Sequence, residues 1–177
     1  QAKRLFGAIG LGGTLGGIAG GAITASLAKT LGPVPLLLVA AALLVPVGDS
    51  TPLQIANYIW SPDAKQLMIF TNTKQVWRQN TRGDYWVLDR GNGALRRLGG
   101  KDAPASTMMY AKFSPQGDRV AFVRKGDIYV ERLADGAITR LTTGADSLHV
   151  NGMTDWVYEE EFGLRDGFRW SPDGARI

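Results

Sequence analysis

Trp60-Ser61-Pro62-Asp63-Ala64-Lys65-Gln66-Leu67 returns 53 residues later as Phe113-Ser114-Pro115-Gln116-Gly117-Asp118-Arg119-Val120, and 57 residues after that as Trp170-Ser171-Pro172-Asp173-Gly174-Ala175-Arg176-Ile177. Each octet has an aromatic residue, Ser-Pro, a polar turn and an aliphatic exit. This is turn chemistry: Pro presets φ, Asp bonds its own backbone, and Gly accepts φ > 0. A repeat of this length suits four-stranded propeller blades rather than helical repeats.

The sequence between the octets fits the same plan. Asp84-Tyr85-Trp86-Val87-Leu88-Asp89 and Asp127-Ile128-Tyr129-Val130-Glu131 read as third strands. They run into Asn92-Gly93 and Asp135-Gly136, both hairpin-turn signals. Leu95 to Leu98 and Ile138 to Thr142 read as fourth strands. The expected fold is an all-β propeller fragment, with two blades and the start of a third. The turns themselves are read as structural, because propellers of many functions use them.

Residues 1–48 have a different composition. The chain has 177 residues and a net charge of +4, but its acidic residues all lie at or after Asp49. Lys3, Arg4 and Lys29 give the first 48 residues +3, leaving 17 basic and 16 acidic groups, or +1, for the rest. The basic pI near 9.5 therefore marks no nucleic-acid stripe. With no Cys and His149 alone, thiol chemistry and zinc sites of the Cys/His type are excluded.

Leu5 to Ala28 is a run of 24 uncharged residues, long enough to cross a bilayer, which takes about 20. Gly12/Gly16/Gly20 and Gly13/Gly17/Gly21 repeat at the four-residue spacing that lets membrane helices approach closely. After a break from Lys29 to Pro35, Leu36 to Val45 starts a second apolar run. The expectation is an α-helical, Gly-rich, membrane-like hairpin over residues 1–46, touching the membrane through residues 5–45. Arg4-Leu5-Phe6-Gly7 through Gly21-Ala22 resembles a helix pair of major-facilitator-type transporters. Residues 5–28 hold no ionisable group to mark a transport path.

An insertion after the second blade, Asn151-Gly152-Met153-Thr154-Asp155-Trp156-Val157-Tyr158-Glu159-Glu160-Glu161-Phe162, carries the functional signal. Thr154 or Asp155 can cap a short helix, placing the three glutamates in its first turns. Trp156, Tyr158 and Phe162 are expected to reduce the solvation of these carboxylates, which then call for a cation. A primary ammonium, with three N–H donors, suits two adjacent carboxylates. A solvated acidic turn is the plain alternative, and a compact set of oxygen ligands for calcium is not evident.

Asp155-Trp156-Val157-Tyr158-Glu159-Glu160-Glu161 resembles the glutamate motif in the propeller of dipeptidyl peptidase IV, in the prolyl oligopeptidase family of serine peptidases. Val76-Trp77-Arg78-Gln79-Asn80-Thr81-Arg82-Gly83-Asp84-Tyr85 is similar to the segment bearing that family's substrate-contacting arginine. The resemblance runs from about Val47 to Ile177. It implies that Glu160 and Glu161 hold the α-ammonium of a peptide with a free N-terminus, that Arg78 bonds a substrate carbonyl, and that Glu159 supports the loop. It also implies removal of N-terminal dipeptides with penultimate Pro or Ala, frequent homodimers, and a periplasmic or extracellular propeller. Neither a cofactor nor a metal is implied.

In such enzymes a Ser-Asp-His triad sits on an α/β-hydrolase domain, with the serine in a Gly-x-Ser-x-Gly elbow. None of the seven serines here lies in that motif. The expectation is a propeller part without its hydrolase domain, inactive alone and joined between about Val39 and Val47 to a foreign membrane segment. The competing readings are a non-catalytic binding propeller and a transporter fragment.

Overall fold

A serine hydroxyl closes each octet. In the computed structural model, which describes Pro46 and residues 52–177, Ser61 Oγ donates to Asp63 Oδ1 at 2.7 Å and accepts from Gln66 N at 2.9 Å. Ser171 repeats both bonds with Asp173 and Arg176. In the second octet Gln116 replaces Asp, and the Ser114 hydroxyl turns to Asp118 at 2.8 Å while still accepting from Arg119 N. The fifth octet position is left-handed throughout: Ala64 has φ 55°, Gly117 φ 74° and Gly174 φ 65°.

These turns organise two antiparallel meanders. The first comprises β1 (Ile55–Trp60), β2 (Gln66–Val76), β3 (Gln79–Asp89) and β4 (Leu95–Arg97); the second comprises β5 (Met108–Phe113), β6 (Arg119–Arg124), β7 (Asp127–Arg132) and β8 (Ile138–Arg140). Mostly antiparallel sheet in two four-stranded sets is the expected pattern of a blade fragment. The expected fourth strands end slightly earlier than read. The third octet forms its turn, but the described residues around it form no named strand.

The two sets are also joined by backbone hydrogen bonds. β3 pairs with β4 at Trp86–Leu88 and with β5 at Arg82 and Gly83. Gly83 permits this crowding, since a Cβ there would lie 2.5 Å from the Phe70 ring and 2.6 Å from the Thr71 carbonyl oxygen. Alternation along the central strand β6 builds the core on both sides. Val120 and Phe122 pack with Met68, Tyr85, Val87 and Leu98 of the first set, while Ala121 and Val123 pack with Met109, Ile128 and Phe168.

Three buried acids tie the sheet together. Asp84 accepts from Asn72 Nδ2, Arg97 Nη2 and Ser106 N, each at 2.8 Å. Asp127, at the matching place on β7, accepts from Arg140, from Thr142 Oγ1 at 2.9 Å and from Asn151 Nδ2 at 2.9 Å. Glu131 bridges the sets, accepting from Gly99 N at 2.7 Å with Arg96 at 3.2 Å. Burial pushes the Glu131 carboxyl up, and the Gly99 N–H, Arg96 and Arg124 offset this only in part.

Among the described residues no helix is long and apolar enough to cross a membrane. The Gly-rich hairpin expected over residues 1–46, with its membrane contact through residues 5–45, falls outside the described residues, apart from Pro46. So does the expected junction between Val39 and Val47.

Two tests follow from the turns and the acids. A Cβ on Gly117 meets only ordinary van der Waals contact at 3.6 Å, so Gly117→Ala isolates the backbone penalty; it should cost about 1–2 kcal/mol in urea unfolding. Ala64→Gly, which relieves the same conformation, should cost less than about 0.5 kcal/mol in that assay. For Asp127, burial pulls the carboxyl up, but hydrogen bonds from Arg140, Thr142 and Asn151 prevail and hold it below the ordinary range. Its stabilising contribution is therefore complete above an unfolded pKa of about 3.9 and is lost as pH falls toward the lower folded value. Urea midpoints measured from pH 6 to 2.5 should fall less steeply in Asp127→Asn than in the parent.

Candidate functional site

The octets occupy one rim of the two strand sets, because β2 and β6 both start from them. The opposite rim carries the β2–β3 and β6–β7 turns, and the sequence-predicted site residues gather there. Arg78 sits at the β2–β3 tip, beside Trp77, whose φ of 51° places a bulky residue in the left-handed region. Before the tip, β2 shifts register between Thr71 and Lys74, and Asn72 has φ 47°. Asp84 holds this irregularity through Asn72 Nδ2, and Ser106 Oγ donates to the Asn72 carbonyl at 2.6 Å. The hairpin is thus bent and fixed before it presents Arg78.

The glutamates arrive on an insertion pinned at both ends. Asn151 N donates to Gly126 O at 2.7 Å, its side chain bonds Asp127, and Gly167 N returns to Gly152 O at 3.0 Å. Lys112 adds a further hold, with Nζ 2.7 Å from Asp166 and 2.9 Å from Phe168 O. Burial lowers the Lys112 pKa, with Asp166 opposing the shift. Within the insertion, α1 spans Trp156–Phe162. Asp155 Oδ1 caps it by accepting from Tyr158 N at 2.9 Å, and Gly163 ends it at φ 64°.

Arg78 Nη1 lies 2.7 Å from Glu160 Oε2. The Glu160 side chain is only 13% exposed, whereas that of Arg78 is 73% exposed. Glu161, one residue further round the helix, is exposed and forms no ion pair among the described residues. The structure therefore brings together Arg78 and Glu160 but not Glu161.

The three glutamates lie in the first turns of α1 as expected, Glu159 in the first and Glu160 and Glu161 in the second. One expectation for the motif needs correction. Trp156, Tyr158 and Phe162 are 46%, 50% and 67% exposed and do not shield the carboxylates. Glu159 is the buried acid, and its two oxygens have no hydrogen-bond partner among the described residues. Sequence reading also missed Tyr110, a half-buried residue at φ 56° behind the site. The spacing of Asp84 to Arg97 and of Asp127 to Arg140, 13 residues in both repeats, could have revealed the two acids that aim it.

Among the described residues no group of three or more His, Cys, Asp or Glu side chains could hold a metal. A cavity of about 530 Å³ lined by Gln66, Val87, Asp89, Arg96, Asp118 and Leu133 lies between the strand sets on the octet side, away from Arg78 and the glutamates.

The sequence profile described as "Dipeptidyl peptidase IV (DPP IV) N-terminal region" matches residues 61–177. The chain belongs to this family. A "Probable dipeptidyl-aminopeptidase B" of Talaromyces marneffei is 35% identical over 118 residues, which are 66% of this chain and 13% of that protein. Its namesake in Trichophyton verrucosum is 36% identical over 121 residues, covering 67% and 13%. The crystal structure of Porphyromonas gingivalis dipeptidyl peptidase 4 aligns at 32% identity and a TM-score of 0.62, over 69% of this chain and 17% of that one. The chain thus spans about one sixth or less of these relatives. The family match starts at residue 61 and lends the transporter resemblance of residues 1–45 no support.

Because Arg78 is mostly exposed, its pairing with Glu160 should matter little to the stability of this dipeptidyl peptidase IV N-terminal region. Arg78→Lys should shift the free energy of urea unfolding by less than about 1 kcal/mol. A larger loss would make the pair a structural element.

Proposed function

We propose that residues 47–177 are the substrate-clamping part of the propeller of a serine-type dipeptidyl aminopeptidase. The observation that carries this reading is the Arg78–Glu160 approach at 2.7 Å, which joins the two motifs from separate repeats at one rim. A binding propeller without a clamp would not require that convergence.

The chemistry follows from donor and acceptor counts. A carboxylate accepts about four hydrogen bonds, so Glu160 can hold Arg78 and still receive N–H bonds from a substrate α-ammonium. Glu161, exposed beside it, supplies the second carboxylate when the ammonium is seated. The guanidinium has five N–H donors, and those not engaged by Glu160 can bond a substrate carbonyl. A charged end-clamp at a fixed distance from a nucleophile acts as a ruler, allowing two residues before the cut. A blocked N-terminus is disfavoured because it lacks the ammonium that Glu160 and Glu161 would otherwise bond. In such an enzyme the nucleophile and the pocket that sets the Pro or Ala preference are carried by the α/β-hydrolase domain.

The test is kinetic, in a complete dipeptidyl aminopeptidase carrying this propeller segment. Glu160→Ala and Glu161→Ala should each lower kcat/KM for a Gly-Pro amide with a free N-terminus by at least ~100-fold, the scale of breaking a desolvated charge pair. Rates within a few-fold of the parent would remove the clamp. The 177-residue chain alone should show no turnover of the same substrate.

A further inference from the structure

Glu159 is 5% exposed, and both of its carboxylate oxygens are buried without a hydrogen-bond partner among the described residues. A carboxylate in that condition is unfavourable unless a donor reaches it. Lys112 is not that donor, since it is committed to Asp166 at 2.7 Å. The donors at hand are hydroxyls. β3 pairs with β5 at Arg82–Met109, the position next to both Thr81 and Tyr110. The Thr81 oxygen is itself buried and unpartnered, close enough to influence Tyr110 but outside hydrogen-bonding geometry.

Tyr110 sits where β5 shifts register between Met109 and Lys112, with φ 56°. A bulky residue in that conformation is held there by its surroundings. Burial raises the Tyr110 hydroxyl pKa; Thr81 opposes this, while the charges of Glu159 and Asp166 add to it, and the net direction is up. The phenol therefore keeps its proton and remains a donor at neutral pH. Thr81 is three residues from Arg78, and Glu159 adjoins Glu160, so this polar group lies immediately behind both halves of the clamp.

We propose that Glu159 and Tyr110 are positioning residues for the clamp: in the substrate-bound enzyme the Tyr110 O–H donates to the Glu159 carboxylate and Thr81 O–H donates to the Tyr110 oxygen. This chain of hydroxyls ties α1 to the β3–β5 pair and fixes the helix backbone that carries Glu160 relative to Arg78. The bond gives the buried Glu159 carboxylate the donor it otherwise lacks. The inference rests on the clamp reading above, and assigns to Glu159 a role distinct from contact with substrate.

The experiment uses the complete enzyme and a dipeptide amide with a free N-terminus. Tyr110→Phe, which removes one oxygen, should raise KM about three- to tenfold, the range of one hydrogen bond, and leave kcat within about twofold, as expected when binding is weakened equally in ground and transition states. Glu159→Gln keeps a carbonyl acceptor and should lie closer to the parent than Glu159→Ala. The Tyr110→Phe/Glu159→Ala double variant should be no worse than the more impaired single variant, because both remove the same bond. An unchanged KM for Tyr110→Phe, or additive effects in the double variant, overturns the positioning role. Glu160→Ala in the same assay separates the two readings: its loss of activity beside an unaffected Tyr110→Phe leaves the clamp standing, whereas full activity of Glu160→Ala removes both. Should Glu159→Ala fail to fold, Tyr110→Phe still decides the matter.

Discussion

A buried carboxylate must be surrounded by donors, and the way Asp84 and Asp127 meet that demand determines where the functional side chains go. Each acid lies on the third strand of its repeat and takes an arginine from the fourth strand, Arg97 or Arg140. The remaining acceptor capacity reaches outward, in different directions in the two repeats. Asp84 holds Asn72, and with it the irregular hairpin that presents Arg78. Asp127 holds Asn151, where the glutamate insertion leaves the sheet. One device, used twice, both closes a strand set and aims one half of the site. Removing either acid would leave an arginine and an asparagine without their partner, so framework and site cannot be altered separately at these positions.

Much of the framework was legible because its signals are local. The Ser-Pro-Asp-Gly octets declare turns through φ preferences and short hydrogen bonds, and their spacing counts the repeats. Ser61, Ser114 and Ser171 carry more of each turn than the more conspicuous Pro and Gly, since one hydroxyl both donates to an acid and accepts a backbone N–H. The forked pairing of β3 was not legible. It depends on Gly83 lying against Phe70 and on irregularities at Asn72 and Tyr110, which are backbone conformations that these residue types do not announce.

The site was legible in its members and not in its arrangement. Arg78, Glu160 and Glu161 were marked by their motifs, but which glutamate is buried is a question of helix phase. The seven residues of α1 place Glu159 inward and Glu160 beside Arg78. The aromatic residues then fall on the outer side, where composition alone suggested they would cover the acids. A buried acid flanked by exposed aromatics inverts the usual preference of these residue types. That local conflict between residue type and location occurs at functional places more often than in framework.

The Arg78–Glu160 pair also bears on the order in which the molecule is assembled. Its two members lie 82 positions apart in the chain and are supported by different strand sets. A contact that closes so long a loop must overcome a chain-entropy cost that the hairpins on either side do not face. The first strand set, folded alone, presents an arginine with no acid to meet. The pair is thus completed only once both repeats and the segment after them have reached their places, so it reports on the finished fold without having to hold it together.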